Sequence, residues 1–192
     1  MRLFGPLYDR VLSWARHPHA PWYLGGLSFA ESSFFPIPPD VMLAPMTLAR
    51  PEAAMRLALL TTLTSVAGGI AGYAIGYFAI DLAEPWMREA GYWDGYTQVR
   101  VWFERWGFWA VLAAGFSPIP YKLFTIAAGT LGMFVPAFVA ASFLGRGARF
   151  FLVASLIRAG GPAMERRLRT HVEILGWAFV VILVIAYLLL KE

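Results

Sequence analysis

Five ionisable side chains stand where the surrounding sequence is apolar enough for a lipid bilayer: Glu31, Asp40, Lys122, Arg146 and Arg149. A charge at the centre of a bilayer costs roughly 2.5–3.5 kcal/mol on insertion scales, so five unpaired ones would cost on the order of 12–18 kcal/mol. That is as much as the whole stability of an ordinary fold. They must therefore gather, face water or neutralise one another. Their formal charges sum to +1, so a mutually paired cluster leaves one positive charge over. Such an excess suits an anionic guest, for example a phosphate head group.

Each of the five has two readings. Arg146 and Arg149 lie three residues apart and share a helix face. An arginine fork holds phosphate or carboxylate through two parallel hydrogen bonds, and Gly145 and Gly147 allow close backbone approach beside Arg146. The same arginines in internal Arg–Glu or Arg–Asp pairs would only lock the chain together. Glu31 and Asp40, as carboxyls held out of bulk water, suit proton coupling or gating. Asp40, following Pro39, equally suits a helix cap. Lys122 is either a buried cation or a snorkelling side chain at the interface.

Two matching proline stretches must position these groups: Phe35-Pro36-Ile37-Pro38-Pro39-Asp40 and Ser117-Pro118-Ile119-Pro120-Tyr121-Lys122, with Pro-Ile-Pro repeated 82 residues apart. Proline removes a backbone donor and biases its predecessor away from helix. Neither stretch can run through as a continuous helix, yet apolar sequence flanks both. Broken backbone at membrane depth survives only where it is buried in protein or lines a polar cavity. Paired Pro-interrupted apolar segments in two halves point to a transporter's binding site.

The fold class expected is all-α integral membrane: two inverted re-entrant helical hairpins, about three spanning helices and interfacial amphipathic helices. Residues 1–21 form an amphipathic surface helix, with Phe4, Leu7, Val11, Leu12 and Ala15 on one face. Residues 22–50 form the first hairpin, turning at Pro36, Pro38 and Pro39. Residues 57–80 carry no charge and are long enough to span. Gly68, Gly72 and Gly76 recur there every four residues, a small-residue stripe for close packing within the chain or, alternatively, in a homodimer. Residues 81–106 read as an aromatic-rich interfacial loop with Trp86, Tyr92, Trp93, Tyr96, Trp102 and Trp106. Residues 107–133 form the second hairpin, turning at Pro118 and Pro120. Residues 134–157 span, 158–173 form a basic interfacial helix with Arg166, Arg167 and Arg169, and 174–190 span again.

Composition agrees with a membrane domain: 59% of the 192 residues are hydrophobic and only 15% charged. No cysteine is present, so thiol chemistry is excluded. The first 21 residues lack an apolar h-region, which argues against a cleaved signal peptide. With re-entrant hairpins, nine basic residues fall on the amino-terminal side and four on the other, placing the amino terminus inside. Two fully crossing stretches give ten against three, so charge counting does not choose between these models. His17, His19 and His171 have no metal-ligand spacing, and no phosphate loop, dinucleotide fingerprint or protease motif occurs. The expectation is a non-enzyme without cofactor or metal. Its partners are membrane lipids with anionic head groups, and protons, with no nucleic acid.

On particular residues the chain resembles the DedA family, also called SNARE-associated or VTT-domain membrane proteins, and within it the short YqaA-like branch. The resemblance covers roughly residues 20–160. It rests on Phe29-x-Glu31 followed by Pro36-x-Pro38-Pro39-Asp40, on Gly72-Tyr73-x-x-Gly76, and on Phe116-Ser117-Pro118 with Ala128-Gly129. It implies two opposed re-entrant hairpins in a multi-pass protein of the bacterial inner membrane. It implies transport or scrambling of phospholipid or polyprenyl-phosphate carriers, in bacteria proton-driven recycling of undecaprenyl phosphate. It further implies roles for an acidic pair, here Glu31 and Asp40, and for basic residues at the second tip. The commoner pattern there, Arg-Phe-x-Pro-x-x-Arg, meets Gly115 and Tyr121 at its arginine positions. Lys122, Arg146 and Arg149 are the cations at hand. The leading expectation is a lipid-phosphate translocase. The alternatives are a proton-coupled carrier of a small soluble ion or solute, and a membrane-organising scaffold whose charges only lock the fold.

Overall fold

The computed structural model describes residues 13–35, 37–117 and 120–160, and among them every regular element is helical. The elements are α1 (Ala20–Ser33), α2 (Asp40–Ala49), a short 3-10 turn at Pro51–Ala53, α3 (Ala54–Glu89), α4 (Trp93–Phe116), α5 (Tyr121–Thr130) and α6 (Val135–Gly160). Pro36, Pro118, residues 1–12 of the expected amino-terminal helix, most of the basic helix and the last expected span lie outside the described residues.

Proline sets the breaks. The amides of Phe34 and Phe35 both close onto the Ala30 carbonyl at 2.8 Å, ending α1 just before the proline run. In the same way α5 starts directly after Pro120. Glycine sets the other ends. Gly91 and Gly132 have φ of 75° and 70°, the left-handed geometry that a Cβ disfavours. In each case the following amide reaches back five residues, Tyr92 to Met87 and Met133 to Ala128, both at 2.9 Å.

The region expected as an aromatic-rich loop, 81–106, is helical except for the turn around Gly91. Its polarity marks a change of surroundings and carries no helix-ending signal before that glycine; Pro85 is accommodated inside α3. At 1.5 Å per residue, the 36 residues of α3 extend about 54 Å. By length and composition, Pro51–Glu89 and Val135–Gly160 are apolar enough to cross a membrane. The arms α1, α2 and α5 have 14, 10 and 10 residues, each too short for roughly 30 Å of hydrocarbon.

α3 is the spine. α1 runs parallel to its first half: Ser28 Oγ donates to the Thr61 carbonyl at 2.8 Å, Ser32 and Ser65 share a 2.8 Å hydroxyl contact, and Ser33 Oγ donates to the Gly68 carbonyl at 2.9 Å. α5 runs parallel to its second half: Tyr121 and Thr125 lie against Gly69, Thr125 against Gly72, and Ile126 and Thr130 against Gly76, with Tyr73 Oη donating to the Met133 carbonyl at 2.6 Å and Thr130 Oγ1 to the Gly76 carbonyl at 3.3 Å. The two short helices meet end to end where Thr125 Oγ1 donates to the Ser32 carbonyl at 3.2 Å. The glycine stripe is the seam beneath them. A Cβ at Gly68 would overlap the Phe29 carbonyl, one at Gly72 the Thr125 hydroxyl, and one at Gly76 the Ile126 carbonyl.

Each proline break turns the chain back. Arg50, after α2, donates from its guanidinium to the Arg16 carbonyl, before α1. Tyr96, early in α4, donates to the Thr130 carbonyl at the end of α5 at 2.6 Å. α6 then runs antiparallel to α3, Phe138 lying against Gly69 and Gly147 against Thr62, each 3.5 Å from the position of a glycine Cβ. Two apolar clusters result. One joins Leu24, Leu43, Met46, Leu57 and Phe150; the other joins Phe103, Val111, Tyr121, Leu131 and Phe138.

Because the Gly76 neighbour is backbone, it cannot rotate away. Gly76→Ala is expected to destabilise by about 1–3 kcal/mol, seen as a lowered thermal midpoint in detergent. Gly26, inside α1 with open space at its Cβ position, is the control, and Gly26→Ala is expected to leave the midpoint unchanged or raise it, by about 1 kcal/mol at most, since alanine is the better helix former.

Candidate functional site

Four of the five charges meet, and they do so in two pairs that differ in character. Glu31 lies in the last turn of α1, Asp40 is the first residue of α2, and Arg146 and Arg149 project from one face of α6. The proline break between α1 and α2 therefore presents one carboxylate on each side. The three-residue spacing on α6 offers one guanidinium to each.

The Arg146–Glu31 pair is enclosed. Arg146 is 2% exposed and Glu31 8%. Arg146 donates from Nη2 to Glu31 Oε2 and to Ser32 Oγ, and from Nε to Ser65 Oγ at 2.6 Å. Its guanidinium lies 4.9 Å from the Tyr121 ring centre and 4.7 Å from that of Phe150, in the range of cation–π attraction. Tyr121 is itself fixed by donating to Ser142 Oγ. Close backbone approach makes room for this: a Cβ at Gly145 would overlap the Leu112 carbonyl, and one at Gly115 would lie 3.1 Å from the Arg146 amide.

The Arg149–Asp40 pair is open on one side. Its side chains keep 21% and 24% of their surface, with Nη2 on Asp40 Oδ2 at 2.7 Å. The other fork nitrogen, Nη1, donates to the Ser117 carbonyl at 2.7 Å. Arg149 thus ties the end of the first break to the start of the second. Asp40 does not cap α2 with its side chain. Its second oxygen, Oδ1, is buried and has no hydrogen-bond partner among the described residues. Lys122, half-buried in the first turn of α5, has no carboxylate within 4.0 Å among the described residues. The paired charges therefore cancel, and the excess positive charge rests on Lys122.

Sequence reasoning singled out the charges but not the groups that hold them: Ser32, the Ser117 carbonyl, and the Tyr121 and Phe150 rings. Ser65 was visible only as a small residue beside the glycine stripe. Hydroxyls in apolar helices and an aromatic next to a proline run are too common to stand out in one sequence. Of the hairpin-tip prolines, Pro38, Pro39 and Pro120 flank the breaks as described. Among the described residues, no three His, Asp or Glu side chains gather to hold a metal.

Comparison with known proteins adds a lineage. A family model described as the VTT domain matches residues 37–159. A protein from Haemophilus influenzae, described only as uncharacterized, is 47% identical over 192 residues, covering 100% of both chains. A second, from Histophilus somni, described as an uncharacterized homologue of a Haemophilus protein, is 43% identical over 191 residues, again covering 100% of both. No solved structure matches.

Removing one partner of an enclosed pair strands a buried charge. Arg146→Ala is expected to destabilise by about 3–5 kcal/mol. The double variant Glu31→Leu with Arg146→Met should recover most of that loss, because apolar replacement of both partners is often near neutral. Arg149→Ala, at a pair still touching solvent, should cost distinctly less than Arg146→Ala. Thermal unfolding of the four proteins in one detergent checks the order.

Proposed function

The chain belongs to the VTT-domain family, and from that premise we propose that it moves a lipid with an anionic phosphate head group across the bilayer. A polyprenyl phosphate is the leading candidate. One observation carries this reading: a partly exposed Arg149 joins the two proline breaks, and Lys122, in the first turn after the second break, has no carboxylate within 4.0 Å among the described residues. In this reading the breaks are the tips of re-entrant hairpins that approach from opposite sides and meet near mid-depth in a multi-pass protein of the bacterial inner membrane. The end-to-end meeting of α1 and α5 on the α3 spine supports that arrangement.

The two ion pairs divide the work. Arg146 has its fork engaged by Glu31, Ser32 and Ser65. It serves as the fixed post that holds α1, α3 and α6, and direct head-group contact falls to Arg149 and Lys122. A phosphate presents the same oxygen geometry to Arg149 as Asp40 does, with more charge. Protonating Asp40 removes its hold and hands the fork to the head group; deprotonation reverses the exchange. Proton coupling is therefore assigned to Asp40. Proton uptake by Glu31 would leave Arg146 buried without its counter-charge, which is far more costly. Only the polar head needs protein, since the tails can stay in the surrounding lipid.

The test is reconstitution in liposomes with a labelled polyprenyl phosphate. Wild type should accelerate exchange between leaflets, faster with a proton gradient. Losing a charge-assisted hydrogen bond should slow it roughly tenfold or more in Arg149→Gln, and Lys122→Gln should slow it severalfold with an unchanged melting curve. Equal exchange with and without protein ends this reading. Uptake of soluble phosphate in place of lipid exchange would favour a solute carrier. Transport that falls only in step with stability would favour a scaffold locked by its charges.

A further inference from the structure

Farther along α3 from the ion pairs lies a half-open cavity of about 190 Å³, between the end of α3, the start of α4 and the last turn of α5. Helix α3 contributes Tyr77, Asp81 and Glu84, and α4 contributes Trp93, Tyr96 and Arg100. The cavity is framed by fixed rings. Trp93 and Tyr96 stack with centres 5.0 Å apart, and the Tyr96 hydroxyl is pinned to the Thr130 carbonyl at 2.6 Å.

The lining already holds one cation. Arg88 pairs with Glu84 at 2.7 Å, and its guanidinium lies 4.1 Å from the centre of the Trp93 ring. A positive group between carboxylate and aromatic face is thus what this surface accommodates. Asp81 is the lining carboxylate with no basic group within 4.0 Å among the described residues. The carboxyl-terminal turn of α5, Gly129 and Thr130, lines the same cavity. On the α4 side, the one carboxylate within 4.0 Å of Arg100 among the described residues is that of exposed Glu104, at 3.6 Å, so its donors are loosely held.

A cavity with an unpaired carboxylate on one wall, a loosely held guanidinium on the other and rings on both matches a zwitterion bearing an ammonium and a phosphate. Its volume is well below the roughly 300–1,000 Å³ of drug-sized pockets, enough for a head group but not for its tails. Phe78 and Leu82, 67% and 85% exposed on the same stretch of α3, offer the tails an apolar flank. Interfacial aromatics are placed at this depth of a bilayer.

We propose that this cavity is a second binding site, distinct from the ion pairs, for an ethanolamine-phosphate group: the ammonium on Asp81 beside Tyr77 and Tyr96, the phosphate on Arg100. The site does not rest on the translocation reading, because it would be occupied whether or not the protein moves lipid. The full chain is to be examined by native mass spectrometry after exposure to equal phosphatidylethanolamine and phosphatidylglycerol, and by calorimetry with soluble phosphoethanolamine. Retention of the ethanolamine lipid should exceed the glycerol lipid roughly tenfold. Asp81→Asn should abolish the preference, Asp81→Glu should keep it, and Arg100→Gln should weaken retention, with melting curves unchanged. Asp81-dependent binding of phosphoethanolamine without a lipid preference would assign the site to a soluble aminophosphate; a lipid preference assigns it to the membrane. Absence of both, or a preference that survives Asp81→Asn, overturns the proposal.

Discussion

Charge that has left water must be matched by charge, and the structure answers that constraint at one place. Helix α6 brings two guanidinium groups, one turn apart, to the two carboxylates on either side of the first proline break. The elements those pairs connect are far apart in sequence, so the pairs hold the long-range topology as well as neutralising it. Arg146 joins α1, α3 and α6, while Arg149 joins the first break to the second. The two pairs differ in burial, one enclosed and the other open on one side. A pair without water has no competing partner, whereas a pair at the surface can trade its carboxylate for another oxyanion.

The pairs can form only because the backbones come so close. Three glycines four apart let α3 receive α1 and α5 along one seam, and serine and threonine hydroxyls of the incoming helices donate to the carbonyls of Gly68 and Gly76 on α3, with Thr125 donating to that of Ser32 where α1 and α5 meet. In a bilayer there is no hydrophobic drive between helices, so contact of this kind, with its polar groups satisfied, is what holds them. Two helices too short to span are thereby aligned into one column beside the spine. The proline breaks fall where that column is interrupted, which is also where the arginines reach.

Much of this could be read from residue order. Pro36 to Pro39 and Pro118 to Pro120 announced two interruptions, because proline acts on its own backbone and its neighbour's. The stripe at Gly68, Gly72 and Gly76 announced a tight contact, because its period belongs to the helix itself. The stretch from 81 to 106 was misjudged for an equally physical reason. Tryptophan, tyrosine and charge report exposure to an interface, and a helix can cross that boundary intact; only Gly91, with its left-handed φ, marks the turn. The cavity lined by Asp81 and Arg100 was hidden in the same stretch, since it is assembled by three helices that the linear pattern does not connect.

The chain's residue types alone thus determined what is local: helices, where they break, which face is small, and that five charges needed an answer. Their formal sum already left one positive charge over. Which carboxylate meets which arginine was decided only by tertiary packing, because it depends on the register of α6 against α3 and on the way the first break turns. Packing likewise decided that Arg146 is enclosed while Arg149 keeps an open side, and that Lys122 carries the excess. Burial is a property of neighbours, and neighbours separated by more than a hundred residues leave no mark on the sequence around either one.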